Sequence, residues 1–394
     1  MKLLVVGWFR IPHSYAIVNC QQLYNLHTRH PDVEVYTLEA RYFNPEWKPR
    51  PFVYSDTQNA VLEWLCTDRR WKGESVDLVY SITYPYDNTT VFPGTKKCIF
   101  FTAEFAKLTP QYFTGPVSNN CNFEWTCPSV WSQLGIPDSK VITHGADTTV
   151  FKPAPRVRDR VREIYGILPT DTLLINIGSM TQNKGIELVL EALAKLADPS
   201  VKVLFKGSGD LYSSRQFLDS YIRKWPELQN SVIFVDGTLS YASVRYLFAA
   251  ADAYVSPYLA EGFNLTVLEA LSCGLPVIVP RTGSTREFIH DIHEHGGAEY
   301  INYVDSNVVN NGIGYQNTIA VDSLVTVIQN LEKKKSPPRS GPVVDAMREY
   351  IQAEYSWAHV SDLLYDWLST VLKSGAKVAP LPLPDVLETG VEKW

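Results

Sequence analysis

Two glutamates, Glu261 and Glu269, are separated by seven residues in the run E-G-F-N-L-T-V-L-E. Upstream, Lys184 closes the run N-I-G-S-M-T-Q-N-K between an apolar segment and an amphipathic one. An ionised carboxylate accepts hydrogen bonds from hydroxyl groups. Gly262 has no Cβ, so its backbone can come close to a ligand. A helix starting at Asn264 or Leu265 would aim free N–H groups and a positive dipole end at the same place. Such an end suits a phosphate, and an anion held together with hydroxyls describes a sugar nucleotide.

Each residue also has a plainer reading. Thr266 and Glu269 have the S/T-x-x-E spacing of a capping box, in which Glu269 would return a bond to the Thr266 backbone. Lys184 alone could be a solvated lysine in a loop that opens a helix. The surrounding frame favours the ligand reading. An apolar stretch at 253–258 precedes the glutamates, Gly274 can stop the helix, and 277–279 reads as the next buried strand.

The elements that must position these residues repeat along the chain. Residues 3–7, 33–38, 76–82, 98–102 and 140–143 read as strands, with amphipathic helices at 15–27 and 58–71. Alternation of this kind favours a parallel sheet covered on both faces. Prolines 153 and 155 end that unit, and a charged helix at 156–165 opens the next. Strands at 172–177, 201–206, 232–235, 253–256 and 277–279 then alternate with helices at 186–196, 213–225, 241–250 and 265–272. The expected fold is α/β, two Rossmann-like parallel-sheet domains facing across a cleft, with ligands beyond the carboxyl ends of the strands. Residues 333–342 form a basic, proline-rich linker, read as a solvated loop or a weak contact with an anionic surface, and 343–372 is strongly helical.

The run from Glu261 to Pro280 resembles the signature of family 4 retaining glycosyltransferases, whose architecture is GT-B. The family usually has E-G-F-G-x-x-x-x-E-A-x-A-x-G-x-P-V; here Asn264 stands for the third-position glycine, and Ser272-Cys273 for a small pair. The resemblance implies Glu269 on the donor ribose and Glu261 beside the donor sugar. The segment from Gly178 to Gly185 is similar to the family's G-R-x-x-x-x-K-G, which puts Lys184 on the donor diphosphate and Ser179 where an arginine is usual. Phosphate neutralisation then leans on Lys184, helix dipoles and Lys206, the last of which has a solvated-lysine reading too. The implied donor set is Gly178, Ser179, Lys184, Lys206, Gly262, Phe263, Asn264, Leu265, Thr266 and Glu269.

Other segments extend the likeness. His144-Gly145-Ala146-Asp147 with Phe151 and Pro153 resembles the family's hinge, implying that Val150-Phe151 plugs the seam and Asp147 bonds local backbone. Tyr355-Ser356-Trp357 resembles a segment that crosses back to the first domain. The implied domains are 1–150 plus about 356–394 on the acceptor side, and 151–355 for the nucleotide sugar. The tail 376–394 is assigned no function. Glu104 and His13 are acceptor-side candidates, although His13 sits in a loop lacking the family's Gly-Gly pair. Glu104 could equally be a salt-bridged surface glutamate, and Ser14 a simple helix cap.

The implied reaction moves a hexosyl group from a GDP- or UDP-linked sugar to a hydroxyl of a glycan, glycoprotein or lipid, with retention. No nucleophile is placed for double displacement, so the family's front-face path applies, with Lys184 and Glu261 as catalytic candidates. No D-x-D pair occurs, so no metal cofactor is expected. Residues 290–295 carry metal-ligand types, but Gly296-Gly297 and their polarity favour an exposed loop. A nucleotide-sugar epimerase or hydrolase, or a nucleotide-sugar binder without turnover, are the rival readings.

Composition sets outer bounds. A chain of 394 residues accommodates two or three domains, and a formal charge of −6 argues against a nucleic-acid binder. No apolar stretch is long enough to span a bilayer, and residues 1–7 read as a first strand instead of a signal peptide. Six cysteines without C-x-x-C spacing suggest core thiols. A soluble, cytoplasmic protein of glycan biosynthesis, with peripheral membrane contact at most, is the expectation.

Overall fold

The computed structural model describes residues 1–84, 95–102, 104, 117–121, 140–311, 314–333 and 337–373. Apolar runs such as Leu3-Leu4-Val5 are buried on both faces, which suits parallel strands covered by helices. The first sheet contains β1 (Lys2–Gly7), β2 (Glu34–Glu39), β3 (Leu78–Ile82), β4 (Lys96–Phe101), β5 (Val117–Cys121) and β6 (Lys140–Val141). Its order is β2-β1-β3-β4-β5-β6, with every pair parallel. Strand β5 was not anticipated: its sequence, Val-Ser-Asn-Asn-Cys, is too polar to stand out as a buried strand.

The second sheet contains β7 (Thr172–Ile177), β8 (Val201–Lys206), β9 (Val232–Val235), β10 (Ala253–Val255), β11 (Val277–Pro280) and β12 (Ile301–Val304). Their order is β12-β11-β10-β7-β8-β9. The direction of winding reverses between β7 and β10, and the crevice at such a switch point is where ligands collect. Lys184 follows β7 and Glu261 follows β10, so topology alone brings both to that crevice. The helix Ile186–Leu196 buries Ile186, Val189, Leu190 and Leu193, a helical stripe, against this sheet. An antiparallel hairpin, β13 (Ser306–Asn310) and β14 (Tyr315–Ile319), follows β12.

The helical pattern at 343–372 is not one helix. Helices Pro342–Tyr355 and Trp357–Lys373 are broken at Ser356, which is extended (φ −71°, ψ 147°) and whose hydroxyl caps His359 N–H. At the break the Ala146 N–H donates to the Tyr355 carbonyl at 2.8 Å. Trp357, Val360, Leu364 and Leu368 then join the first-sheet core with Leu3, Val5 and Leu23. The tail 376–394 and Cys127 lie outside the described residues. Among the described residues no helix is long and apolar enough to cross a membrane.

A buried ionic knot ties the second sheet to its first helix. Asp252 accepts from Arg158, from Arg162 (3.3 Å) and from Leu173 N–H (2.7 Å), and Arg162 is 3% exposed. Asp252→Ala leaves the Arg162 charge buried without its partner. We expect a loss of about 3–5 kcal/mol, read as a lower urea midpoint for unfolding of the second domain.

Candidate functional site

The Lys184 loop leaves β7 through Gly178 (φ 151°), makes one tight turn at Gln182–Lys184 and enters its helix at Gly185 (φ 69°). A Cβ on Gly185 would lie 2.1 Å from the Pro257 carbonyl oxygen, so this loop and the one after β10 are in direct contact. That contact sets up an ion pair: Lys184 Nζ donates to Glu261 Oε2 at 2.7 Å. The second carboxylate oxygen of Glu261 accepts from Gly262 N–H at 3.0 Å. The two side chains are 22% and 13% exposed, dry enough for strong attraction and open enough for a ligand to arrive.

Glu104 completes the group from the first domain. Its Oε2 accepts from Asn183 Nδ2 at 3.1 Å. Burial opposes the Lys184 charge, but Glu261 and then Glu104 outweigh it, so the ammonium is held above its ordinary pKa. Glu104 still meets solvent at the cleft mouth. Even so, protein crowding pushes its carboxyl upward, with Lys184 opposing and Glu261 reinforcing the shift. The domains approach closely here, since a Cβ on Gly262 would lie 2.5 Å from Thr102 Oγ1.

Asn264 has φ 73°, the left-handed region that glycine and then asparagine tolerate best. That accounts physically for asparagine where glycine is usual. Its amide donates to Ser256 Oγ at 2.9 Å, and its carbonyl accepts from Thr266 Oγ1 at 3.0 Å. The Thr266 hydroxyl in turn accepts from Tyr254 at 2.8 Å. The Leu265–Ser272 helix starts on this turn without a side-chain cap, and Leu265 packs against both domain cores.

Glu269 does not close a capping box. Its carboxylate is buried and, among the described residues, makes no hydrogen bond. Burial, followed by the nearby Asp147 charge, pushes its pKa up to about 8. Asp147 itself accepts from Thr149 N–H (3.1 Å) and Val150 N–H (3.2 Å), a local backbone role.

The remaining candidates divide. Ser179 Oγ lies 3.0 Å from Thr181 Oγ1, which donates to Asn183 Oδ1 at 2.7 Å. The Lys206 ammonium makes no hydrogen bond among the described residues, and burial lowers its pKa against the pull of Asp236. The Phe263 ring stacks on Phe288 at 5.0 Å and packs against His144, so its side chain stiffens the turn from within the core. His144 is buried and pushed down to about 3 by burial, which leaves it a neutral packing residue. His13, not Ser14, caps the first helix by accepting from Tyr15 N–H at 3.1 Å. Burial, then Lys184, pushes His13 down to about 3.

Two features escaped sequence reading. His13 belongs to an aromatic cluster with Trp8, Trp47 and Tyr212, and Trp47 Nε1 donates across the cleft to the Leu211 carbonyl at 2.9 Å. Asn183 links the Lys184 loop to Glu104 and to the Ala260 carbonyl. Neither has a spacing signal, because the partners are distant in sequence. In the 290–295 segment, His295 stacks on Tyr350 at 3.9 Å and bonds the Asp291 carbonyl. Among the described residues no group of three or more metal-ligating side chains is assembled.

Solved structures share this architecture. HepE of Anabaena, solved with UDP-glucose, superposes with a TM-score of 0.66 at 14% identity, covering 94% of this chain and 100% of that one. The sucrose-phosphate synthase of Thermosynechococcus elongatus does so with a TM-score of 0.68 at 14% identity, over 94% and 99%. The fold is GT-B, two parallel-sheet α/β domains. The family described as Glycosyl transferases group 1 matches residues 171–305. The alpha-maltose-1-phosphate synthase of Mycolicibacterium smegmatis is 26% identical over 56% of this chain and 54% of its own length. A GDP-mannose-dependent phosphatidylinositol dimannoside mannosyltransferase of Mycobacterium tuberculosis is 30% identical over 40% of each chain. The chain thus spans about half or less of these relatives' length. In fold the chain is similar to GT-B glycosyltransferases, and over residues 171–305 it is similar to the group 1 family.

The buried Glu269 carboxyl has a measurable consequence. Its pKa is about 8 in the folded chain against 4.5 as a free side chain, so between those values the folded state keeps a proton that the unfolded state has lost. Stability should therefore fall as pH rises through that window, by on the order of a few kcal/mol in all. Urea titrations across the window should show this slope in wild type and its loss in Glu269→Gln.

Proposed function

We propose that the protein is a retaining hexosyltransferase, moving a sugar from a GDP- or UDP-linked donor to a hydroxyl of a glycan, glycoprotein or lipid. The observation that carries this reading is the Lys184–Glu261 pair at the switch-point crevice, beside the start of the Leu265–Ser272 helix. Residues 151–355 would hold the donor, while 1–150 with about 356–394 would face the acceptor. Backbone N–H groups from Asn264 to Thr266, at the helix start, would receive phosphate or sugar oxygens. Glu269, a buried carboxyl with no hydrogen-bond donor among the described residues, would take the ribose hydroxyls.

As the glycosidic bond breaks, charge grows on the leaving diphosphate. Lys184 would shift its hydrogen bonding from Glu261 toward that oxygen, with Lys206 adding positive charge in place of the missing arginine at Ser179. The released Glu261 carboxylate would then stabilise positive charge developing on the sugar. Glu104 and the His13 loop lie on the acceptor's side of this exchange. The relatives support the reading: one is named for GDP-mannose dependence, and HepE was solved with UDP-glucose. A binder without turnover is the second reading, favoured by Ser179. Product analysis over a panel of GDP- and UDP-sugars decides, with transferred sugar in the retained configuration as the expected outcome and an intact donor supporting the binder.

Lys184→Ala should lower kcat by about 10²–10³-fold while changing donor affinity less, because the interaction strengthens in the transition state. A kcat within about threefold of wild type, under one kcal/mol, would return Lys184 to a surface role. Transfer should also survive exhaustive chelation, since Lys184 and a helix start can neutralise phosphate. Loss of activity restored by manganese or magnesium would refute that.

A further inference from the structure

Asn317, on β14, lies beyond the residues matched by the family. It is 2% exposed, and a buried amide is costly unless its bonds are made. Its N–H donates to the Leu259 carbonyl at 2.7 Å. Its Nδ2 donates to the Tyr258 carbonyl at 3.2 Å and the Thr282 carbonyl at 3.3 Å. Its Oδ1 accepts from Thr282 Oγ1 at 2.8 Å. None of these bonds goes to β13, the strand beside it.

The opposite side of the same loop is held by Asn183. The Asn183 carbonyl accepts from Leu259 N–H at 2.8 Å and Ala260 N–H at 3.2 Å. Its Nδ2 donates to the Ala260 carbonyl at 3.2 Å. The buried Tyr258 ring anchors the loop a third time, its hydroxyl 2.8 Å from Thr285 Oγ1. Residues 258–260 are therefore fixed from both sides, and the next residue is Glu261.

We propose that Asn317 and Asn183 clamp the loop at 258–260 so that the Glu261 carboxylate stays on the Lys184 ammonium, which makes Asn317 a positioning residue for sugar transfer. The kinetic consequence rests on the function proposed above; the clamp itself does not. A carboxylate displaced from Lys184 lets the ammonium release its proton more readily, and a neutral amine is the nucleophile in acylation.

The test uses trace acetylation of the full-length protein with acetic anhydride, reading the rate at Lys184 by mass spectrometry against surface lysines. Asn317→Ala should raise that rate at least about threefold, as Glu261→Gln does by removing the charge directly. In transfer assays Asn317→Ala should lower kcat by about 10–100-fold while the affinity for nucleotide diphosphate changes little. Glu261→Gln should then cost little more in the Asn317→Ala background, since both changes remove one interaction. Unchanged Lys184 labelling in folded Asn317→Ala overturns the clamp, whatever the activity. Raised labelling with wild-type kcat overturns the positioning role. Should Asn317→Ala fail to fold, Asn183→Ala removes the side-chain bond to the Ala260 carbonyl at a half-buried residue while its backbone carbonyl keeps Leu259 and Ala260, and the same changes are expected in smaller size. If wild type transfers no sugar while labelling still rises, the clamp stands and the proposed function falls.

Discussion

The cleft is organised around one electrostatic constraint: the Lys184 ammonium is taken partly out of water and must be paired. A lysine in that position without a partner would lose its proton or stay in solvent. Glu261 at 2.7 Å prevents both, with Glu104 contributing from the other domain. Much nearby geometry follows from keeping that pair together. Gly185 has no Cβ because Pro257 occupies the space, Asn264 bends the chain through a left-handed turn, and two asparagines fix the intervening loop.

Under the proposed function the same pair is a stored arrangement. Both charges are already desolvated and oriented, so an arriving anion would exchange partners with Glu261 instead of stripping water from a mobile lysine. Pre-arranged charge of this sort reduces reorganisation at the moment of reaction. Glu269 complements it differently. Among the described residues its carboxyl has no hydrogen-bonding partner in a buried place, which costs stability unless a donor is supplied.

The relation between the two domains depends on a few crossing contacts. Trp47 reaches Leu211, Gly262 comes up against Thr102, and Asn183 meets Glu104 across the cleft. Near the hinge, the chain crosses back beside Gly145 and Ala146, where a Cβ on Gly145 would lie 2.9 Å from the Tyr355 carbonyl oxygen. The helix Trp357–Lys373 then fills the first-sheet core, so the C-terminal region stabilises the domain that begins the chain.

Sequence by itself determined the strand–helix alternation, and with it two parallel-sheet α/β domains, because strands buried on both faces read as continuous apolar runs between amphipathic helices. The strands 172–177, 201–206 and 232–235 have the same bounds in sequence pattern and structure. The polar strand β5 and the break at Ser356 were invisible, since one is held by its neighbours and the other by a backbone contact to Ala146. In the site, spacing singled out Glu261 and Glu269, and a family resemblance Lys184, but neither said how they relate. Whether Glu269 capped its helix, whether His13 was charged, and which residues steadied Glu261 were decided by burial and by partners distant in sequence, such as Asn317. Hydrogen bonds and desolvation act through space, and only the folded chain brings those groups together.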